Sequence, residues 1–443
     1  LLSEAQERMT LAVQPGRIAD LLALAHKRDV DATVLGTFND SGAFIIRHGA
    51  RVVGRIGMEF LHERCPIMTI PAKWSPPSIP GPALPRKGRR DRRLVQLLGS
   101  LNGCSREFKS RQYDGEVKGL SVIKPYVGVG ADMPSDATVM RVEYDRHEGV
   151  ILSEGINPFY SDIDAYHMMT SVVDEAVRRV ISVGGRLGRI AGLDNFCWPD
   201  PVLSEKTPDG PYKMGQLVRA NEALYDIAIA YKVPCISGKD SCKNDSTRGG
   251  RKISIPPTVL FSTISRMADV RNAVTLGFKA PGDVIYVVGM TRPELGASLF
   301  YRLLAGEQGR PMDYGGEVPK VEFERALALY RAMEQATGGA FLRSSHTPTV
   351  GGLAVALAHS AMGGRLGVDV DLARAPFDQV CTDDELLFSE SNSRFVISVA
   401  PNRCEIVEHL FAGLPIGRIG VVTQTCRLKV RGLDGRVTID SPL

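Results

Sequence analysis

The stretch Val233-Pro234-Cys235-Ile236-Ser237-Gly238-Lys239-Asp240-Ser241 sets the reading of the whole chain. Val233 to Ile236 is a short apolar run of the kind that forms a buried strand, and the strand is predicted to stop at Ser237-Gly238. A cation, a carboxylate and a hydroxyl follow at once. Gly238 lets a ligand come close to the backbone. Lys239 can neutralise phosphate charge, Asp240 can offer hard oxygen to Mg2+, and Ser241 can donate to a phosphoryl or amide oxygen. A polar loop after a strand has the same composition, so these residues alone leave both readings open.

Upstream, the pattern predicts a helix from about Gly215 to Tyr231 that delivers the chain to this strand. Before it, a strand from Arg189 to Leu193 ends at Asp194-Asn195-Phe196-Cys197-Trp198. Before that, a helix begins near Ser161, with Asp162 and Asp164 favouring its positive N-terminus. Ala165, Met168, Met169, Val172, Val173, Ala176, Val177 and Val180 recur at helical spacing and form its apolar face, and Gly184-Gly185 stops it. Val150 to Leu152 reads as the preceding strand, followed by a loop through Glu154 and Pro158. Two successive helix–strand units therefore each place a carboxylate just past a strand, Asp194 and Asp240. If the strands are neighbours, the carboxylates share one rim, and Mg2+ needs one or two carboxylates with phosphate and water completing its shell. Two carboxylates capping turns is the competing reading.

The chain also repeats itself. Leu387-Phe388-Ser389-Glu390-Ser391-Asn392-Ser393-Arg394-Phe395-Val396 mirrors Leu1-Leu2-Ser3-Glu4-Ala5-Gln6-Glu7-Arg8-Met9-Thr10. An apolar run, a proline (Pro15, Pro401), an amphipathic helix and a strand ending in glycine (Gly36, Gly420) follow each. In the first copy this order predicts a strand at Met9 to Val13, a helix from Arg17 to Arg28, and strands at Thr33 to Phe38, Ala43 to His48 and Arg51 to Ile56. In the second copy about 100 residues of the same unit, from near Ala280, precede the Ser-Glu stretch. The expectation is that the chain begins inside a domain whose earlier part lies elsewhere. Pro71, Pro76, Pro77, Pro80, Pro82 and Pro85 predict a stiff spacer. The basic run Arg86 to Arg93 after it reads as a solvated helix start or as a phosphate or RNA patch. Gly351-Gly352, at the start of an apolar helix, fits close packing better than phosphate binding.

At 443 residues, with 44% hydrophobic and 23% charged residues, two or three globular domains are expected. The net charge of +4 gives no ground for a nucleic-acid partner, and no apolar run is long enough for a membrane span. The eight cysteines contain no C-x-x-C pair, as expected of free thiols in a reducing cytoplasm.

Several of these stretches together resemble phosphoribosylformylglycinamidine synthase, a member of the aminoimidazole ribonucleotide synthetase-like superfamily. They are Ser237 to Asp245, Leu193 to Pro201, Arg111-Gln112-Tyr113-Asp114-Gly115-Glu116-Val117, Ile123-Lys124-Pro125, Leu2 to Met9 and Ile255-Pro256-Pro257-Thr258. The resemblance implies an α+β fold of tandem N-lobe/C-lobe units with the first N-lobe absent. It divides the chain into 1–70 (tail of the first C-lobe), a Pro/basic linker at 71–110, a second N-lobe at 111–272 and a second C-lobe at 273–443. It implies ATP-dependent amidation of formylglycinamide ribonucleotide in purine biosynthesis, with Mg2+, and with ammonia from a separate glutaminase subunit. By resemblance, Glu4, Ala5, Gln6 and Ser241 meet this small-molecule substrate. Asp194, Gly238 and Lys239 meet ATP, and Asp240 is the metal ligand. The family's catalytic histidines would lie in the absent lobe, so no catalytic residue is expected here. A non-catalytic half that stabilises a partner or holds a nucleotide is the alternative.

This chain departs from its relatives in several places. Some have Gly-Asn-Val-Ser at Gly238 to Ser241, with the Asn on Mg2+. A protonated Lys239 cannot take that place. Ala5 replaces a usual Ser, and Gly115 a common His. Thr347 and Val350 stand where an active second copy would carry two Asp, implying a structural role for that half.

Overall fold

The computed structural model describes residues 5–64, 67–85, 88–112 and 116–443. Glu4, Gly115, and Arg86 and Lys87 of the basic run lie outside the described residues. The chain forms two compact units that divide at Thr69/Ile70.

The first unit contains α1 (Ile18–Lys27), the antiparallel hairpin β1 (Ala43–His48) and β2 (Arg51–Gly57), and α2 (Met58–Glu63). None of its described residues is buried. The strands expected at Met9 to Val13 and Thr33 to Phe38 do not form; both stretches lack regular structure. The reason lies in pairing. The run matching Met9 to Val13 in the second copy is Phe395–Val399, which hydrogen-bonds to a strand on each side. Within the first unit the described residues offer no such neighbours, and a strand exists only through its ladder.

The second unit begins with α3 (Asp91–Gly99) and α4 (Glu107–Gln112). Its N-terminal half then carries β3 (Ser121–Ile123), β4 (Tyr126–Val127), β5 (Met133–Pro134), β6 (Thr138–Arg141) and β7 (Gly149–Ile156). After these come α5 (Ala165–Ser182), β8 (Ile190–Cys197), α6 (Gly210–Tyr231), β9 (Cys235–Ser241), the hairpin β10 (Asp245–Arg248) and β11 (Arg251–Ser254), and β12 (Thr258–Met267). Six of these strands form one sheet in the order β3-β6-β7-β12-β8-β9, with β8 and β9 parallel and β9 at the edge.

The apolar face predicted for α5 is completely buried against this sheet; Met168, Met169, Val172, Val173, Ala176 and Val177 have no solvent exposure. Each buried Met or Val side chain contributes about 1.5–3 kcal/mol by leaving water. Asp164 caps the helix by accepting the Tyr166 N–H at 2.8 Å, and Gly184 ends it at φ 105°. The β12 strand alternates buried and accessible residues, so one face of the sheet carries α5 and α6 while the other carries no helix of the described residues.

The C-terminal half holds β13 (Val284–Val288), α7 (Leu299–Glu307), α8 (Phe323–Gly338), β14 (Leu342–His346), α9 (Gly352–Gly364), β15 (Gly367–Asp371) and α10 (Asp383–Phe388). It ends with β16 (Phe395–Val399), α11 (Cys404–Leu410), β17 (Ile416–Thr423), β18 (Arg427–Arg431) and β19 (Val437–Pro442). Its seven-stranded sheet runs β14-β16-β13-β17-β15-β18-β19. Tyr286, Val288 and Phe395 face the core shared with α5, α6 and α8, while Ile285, Val287 and Val396 face α7, α9 and α3. The β18–β19 hairpin follows α11 and β17 as β1–β2 follows α1, so the helix-then-hairpin order recurs in both copies.

The proline-rich stretch from Pro71 to Pro85, expected as a stiff spacer, is docked at several points. The Lys73 N–H donates to the Pro211 carbonyl at 2.8 Å, and the Gly315 N–H donates to that of Pro80 at 2.9 Å. The Arg219 guanidinium lies 3.8 Å over the Trp74 ring while it also grips Asp164. The basic run is only partly solvated, with Arg89 and Arg92 exposed. Arg90 is buried and pairs bidentately with Asp384, at 2.5 and 2.7 Å, Arg93 pairs with Glu307, and Leu94 and Leu97 enter the core beneath α9. No helix among the described residues is long and apolar enough to cross a membrane.

Candidate functional site

Both strands that carry the sequence-predicted site run further than their composition suggests. β8 continues through Asp194, Asn195, Phe196 and Cys197 rather than ending at Leu193, and β9 continues to Ser241 rather than ending at Ile236. β7 likewise absorbs Glu154 to Ile156, expected as loop. Asp194 and Asp240 are therefore in-strand residues, not loop residues.

The two strands are parallel neighbours, with Asp194 opposite Gly238, Asn195 opposite Lys239, Phe196 opposite Asp240 and Cys197 opposite Ser241. Strand pleating then sorts the predicted residues onto two faces. Asp194 also pairs with Phe261 of β12, and Phe196 and Phe261 are core residues beneath the helices. Asp194, Gly238 and Asp240 accordingly share the helix-covered face, while Lys239 and Ser241 lie on the other, beside Asn195. The expectation that the carboxylates share one rim holds, although the rim is the outer edge of a sheet and not a loop.

Gly238 has a concrete function in this arrangement. A Cβ there would sit 3.0 and 3.1 Å from the Asp194 carboxylate oxygens, so the bare glycine leaves the notch that the carboxylate occupies. Burial, and then the negative charge of Asp240, push the Asp194 carboxyl above its usual range, against the opposing pull of its own backbone N–H. Two carboxylates on one face of a sheet edge suit a cation, so Asp194 and Asp240 fit Mg2+ with oxygen ligands from phosphate and water. Lys239 points away from them. Among the described residues no cluster of three or more His, Cys, Asp or Glu side chains could hold a metal unaided.

Beyond the strands, the two motif tails knit together. The Trp198 N–H donates to the Ser241 carbonyl at 2.7 Å, and the Asn244 side-chain amide reaches the carbonyls of both. Lys252 bridges Asp200 and Asp245 at 3.2 and 3.7 Å. Burial and the nearby carboxylates raise the thiols of Cys235 and Cys242 above the ordinary range, so neither is poised as a thiolate nucleophile.

Of the remaining predicted residues, Ala5 and Gln6 belong to the first unit and are exposed. The matching stretch of the second copy is in the opposite situation. Glu390 is buried and accepts the N–H groups of Leu299 at 3.0 Å and Gly351 at 2.8 Å and the Tyr160 hydroxyl at 2.5 Å. Asn392 and Ser393 bond Arg178 and Asp174 of α5. Thr347 donates to buried Asp136 at 2.6 Å, alongside His346. A carboxylate of the chain itself thus holds the Gly351 amide where phosphate was considered. A Cβ on Gly352 would lie 2.5 Å from the Ser389 carbonyl, which confirms close packing. Asn195, Asp200, Asp245 and Lys252 were not singled out from sequence, although the first three fall within the quoted motifs.

Comparison with known proteins places this geometry in context. Residues 280–432 match the family described as AIR synthase related protein, C-terminal domain. Over 420 residues, 95% of this chain, it is 30% identical to the phosphoribosylformylglycinamidine synthase subunit PurL of Thermococcus sibiricus, covering 54% of that protein. PurL of Methanocaldococcus jannaschii is 28% identical over 97% of this chain and 56% of its own length. The chain therefore spans about half the length of the curated relatives it matches. Among solved structures, PurLQS from Thermotoga maritima superposes with a TM-score of 0.56 at 18% identity, covering 79% of this chain and 50% of that one. T. maritima PurL complexed with FGAR gives 0.55 at 18% identity, covering 72% and 48%. The chain is thus similar to the PurL subunit of phosphoribosylformylglycinamidine synthase along nearly all of its own length, and it shares its mixed helix-and-sheet fold with solved PurL structures.

Proposed function

We propose that this chain is part of an ATP-dependent synthetase that amidates formylglycinamide ribonucleotide, and that the β8–β9 edge is one wall of its active site. The observation that carries the reading is the parallel register setting Asp194, Gly238 and Asp240 on one face, in a chain that aligns with PurL over 95% of its length. Solved T. maritima PurL structures include complexes with FGAR and with ADP, which supports the two ligand classes.

In the proposed reaction the substrate amide oxygen attacks the γ-phosphorus of ATP and ADP leaves. Ammonia then adds to the activated carbon, and phosphate leaves with the former amide oxygen. The task is positioning and charge stabilisation. A Mg2+ held by Asp240 with Asp194 would neutralise polyphosphate charge. Gly238 keeps the space beside Asp194 clear, Lys239 supplies positive charge on the other face, and Ser241 offers a hydroxyl to the organic substrate. By the same resemblance, the Glu4-Ala5-Gln6 stretch is a substrate-binding stretch.

The rest of the site comes from a partner lobe, on the same or another chain, and a glutaminase subunit supplies the ammonia. The name PurLQS of a solved relative supports a multi-subunit enzyme. Met140, Leu152, Ile156 and Ile264 lie 42–46% exposed on the helix-free face of the six-stranded sheet, which supports an apolar lobe packing there. Free thiols throughout the described residues support a cytoplasmic setting.

The test is reconstitution. The chain is combined with the part of a PurL relative that it does not span, and formylglycinamidine ribonucleotide is assayed from formylglycinamide ribonucleotide, Mg-ATP and ammonium. Turnover is expected in the assembly and none from the chain alone; an inactive, correctly assembled complex would reject the proposal. Asp240→Ala is expected to abolish Mg-ATP-dependent turnover, and a near-wild-type kcat would return Asp240 to a structural role.

A further inference from the structure

We propose that Asn195 is a ligand-contact residue whose side-chain oxygen accepts a hydrogen bond from an N–H or O–H group of the amide-bearing ribonucleotide, on the helix-free face of the six-stranded sheet. The inference rests on the reading of the β8–β9 edge as an active-site wall, and adds to it which face takes which ligand.

Asn195 Oδ1 is shielded from solvent and has no hydrogen-bond partner among the described residues. Buried acceptors are almost always satisfied, because stripping water from an oxygen without replacing its hydrogen bond is unfavourable. The unpaired oxygen of Asp245 belongs to a carboxylate, and it has a twin that accepts the Asp200 N–H. Asn195 has a single side-chain acceptor, and it is the one left over.

The position does not require an amide for packing. Asn195 lies opposite Leu260 in β12, and Leu193 precedes it on the same face. The face accommodates leucine on both sides, so an apolar side chain of similar size would fit without an orphaned oxygen. Its other cross-strand partner is Lys239, and Ser241 follows Lys239 on the same face. Acceptor, cation and hydroxyl are thus grouped on one face, while both carboxylates are on the other. The edge thereby separates its ligands: cation and polyphosphate bind on the carboxylate face, and the hydrogen-bonding organic substrate binds on the Asn195 face.

The test uses the assembled synthetase, with the KM values for ribonucleotide and for Mg-ATP measured separately and the thermal midpoint of the chain recorded. Asn195→Leu is expected to raise the ribonucleotide KM roughly tenfold or more, the loss expected when a ligand donor loses its buried acceptor. The Mg-ATP KM should change less than about twofold, and the thermal midpoint should hold or rise, since an unsatisfied polar group has been removed. Asn195→Ala, which adds no bulk, should show the same split, and Asn195→Asp, which keeps an acceptor, should restore most of the ribonucleotide affinity. Unchanged KM values for both ligands, or a rise confined to Mg-ATP, would overturn the assignment. So would a lowered thermal midpoint with intact ribonucleotide binding, which marks a purely structural residue. Absence of turnover in the wild-type assembly would instead reject the underlying functional reading, so the two failures are distinguishable.

Discussion

Replacing Asp174 by alanine should destabilise the second unit more than almost any other single change. Asp174 is fully buried, and Arg178, one helical turn on, is 2% exposed and pairs with it at 2.5 Å. The same carboxylate accepts the Tyr231 hydroxyl at 2.6 Å, the Tyr330 hydroxyl, the Ser393 hydroxyl at 3.0 Å and the Ser393 N–H at 3.1 Å. These donors come from α6, from α8 and from the loop before β16, so one side chain joins the two halves of the unit. Removing one partner of a buried ion pair costs about 3–5 kcal/mol, because the other charge is left without compensation. Each donor stranded away from water adds roughly 1–3 kcal/mol where it cannot find a new acceptor. A loss of at least about 4 kcal/mol is therefore expected, within the exceptional range for a point substitution. Urea unfolding of the intact chain, followed by tyrosine and tryptophan fluorescence, measures it. The double variant Asp174→Leu/Arg178→Leu should cost much less than the sum of the single changes, since it removes both buried charges together. A shift below about 1 kcal/mol for Asp174→Ala, or strict additivity in the double variant, would refute the reasoning.

Gly238→Ala should weaken Mg-ATP binding by the assembled enzyme several-fold while leaving the unfolding midpoint of the chain unchanged. The new Cβ, 3.0 Å from the Asp194 carboxylate, displaces that group by a few tenths of an ångström on an exposed edge; unchanged nucleotide affinity would refute a role for the notch. His359 sets an acid limit on stability. Burial, reinforced by neighbouring His346 whose ring lies 5.6 Å away, depresses its pKa to about 3, with Asp136 opposing. Because the folded value lies below the unfolded one, the stabilisation is present above pH ~6.5 and is lost as pH falls, by about 2 kcal/mol between pH 6.5 and 5. Urea midpoints at these two pH values should fall for the wild type and fall less for His359→Leu; equal losses would clear His359 of the effect.

The amount of this structure legible in the sequence depended on how a residue type reports its surroundings. The face of α5 was readable because eight apolar residues recur at helical spacing and nothing else in the segment competes. The ends of β8 and β9 were not, because Asp194, Asn195, Lys239 and Asp240 look like loop when only apolar runs count as strand. Polar residues are tolerated there because β9 is a sheet edge, and that is a property of strand order, which neither strand encodes by itself. The carboxylate pair was anticipated from two separate motifs, but its division from Lys239 and Ser241 emerged only from the register. Met9 to Val13 shows the converse: a good strand composition without neighbours remains irregular. Arg90 illustrates the longest reach, since a residue in an apparently solvated basic run is buried by Asp384, 294 positions away.

Among the described residues β9 is bonded along one side only, whereas β8 is held between β9 and β12. Asp194 thus rides on an anchored strand, and Asp240 on one that can swing. The gap between their carboxylates is the soft dimension of the site, able to widen when two negative charges repel and to close when a ligand draws them together. Amide hydrogens of Lys239 to Ser241 should accordingly exchange quickly in the free protein and slow on ligand binding, with β8 protected throughout. Such a hinged jaw tolerates ligands of different charge without any rearrangement of the core behind it.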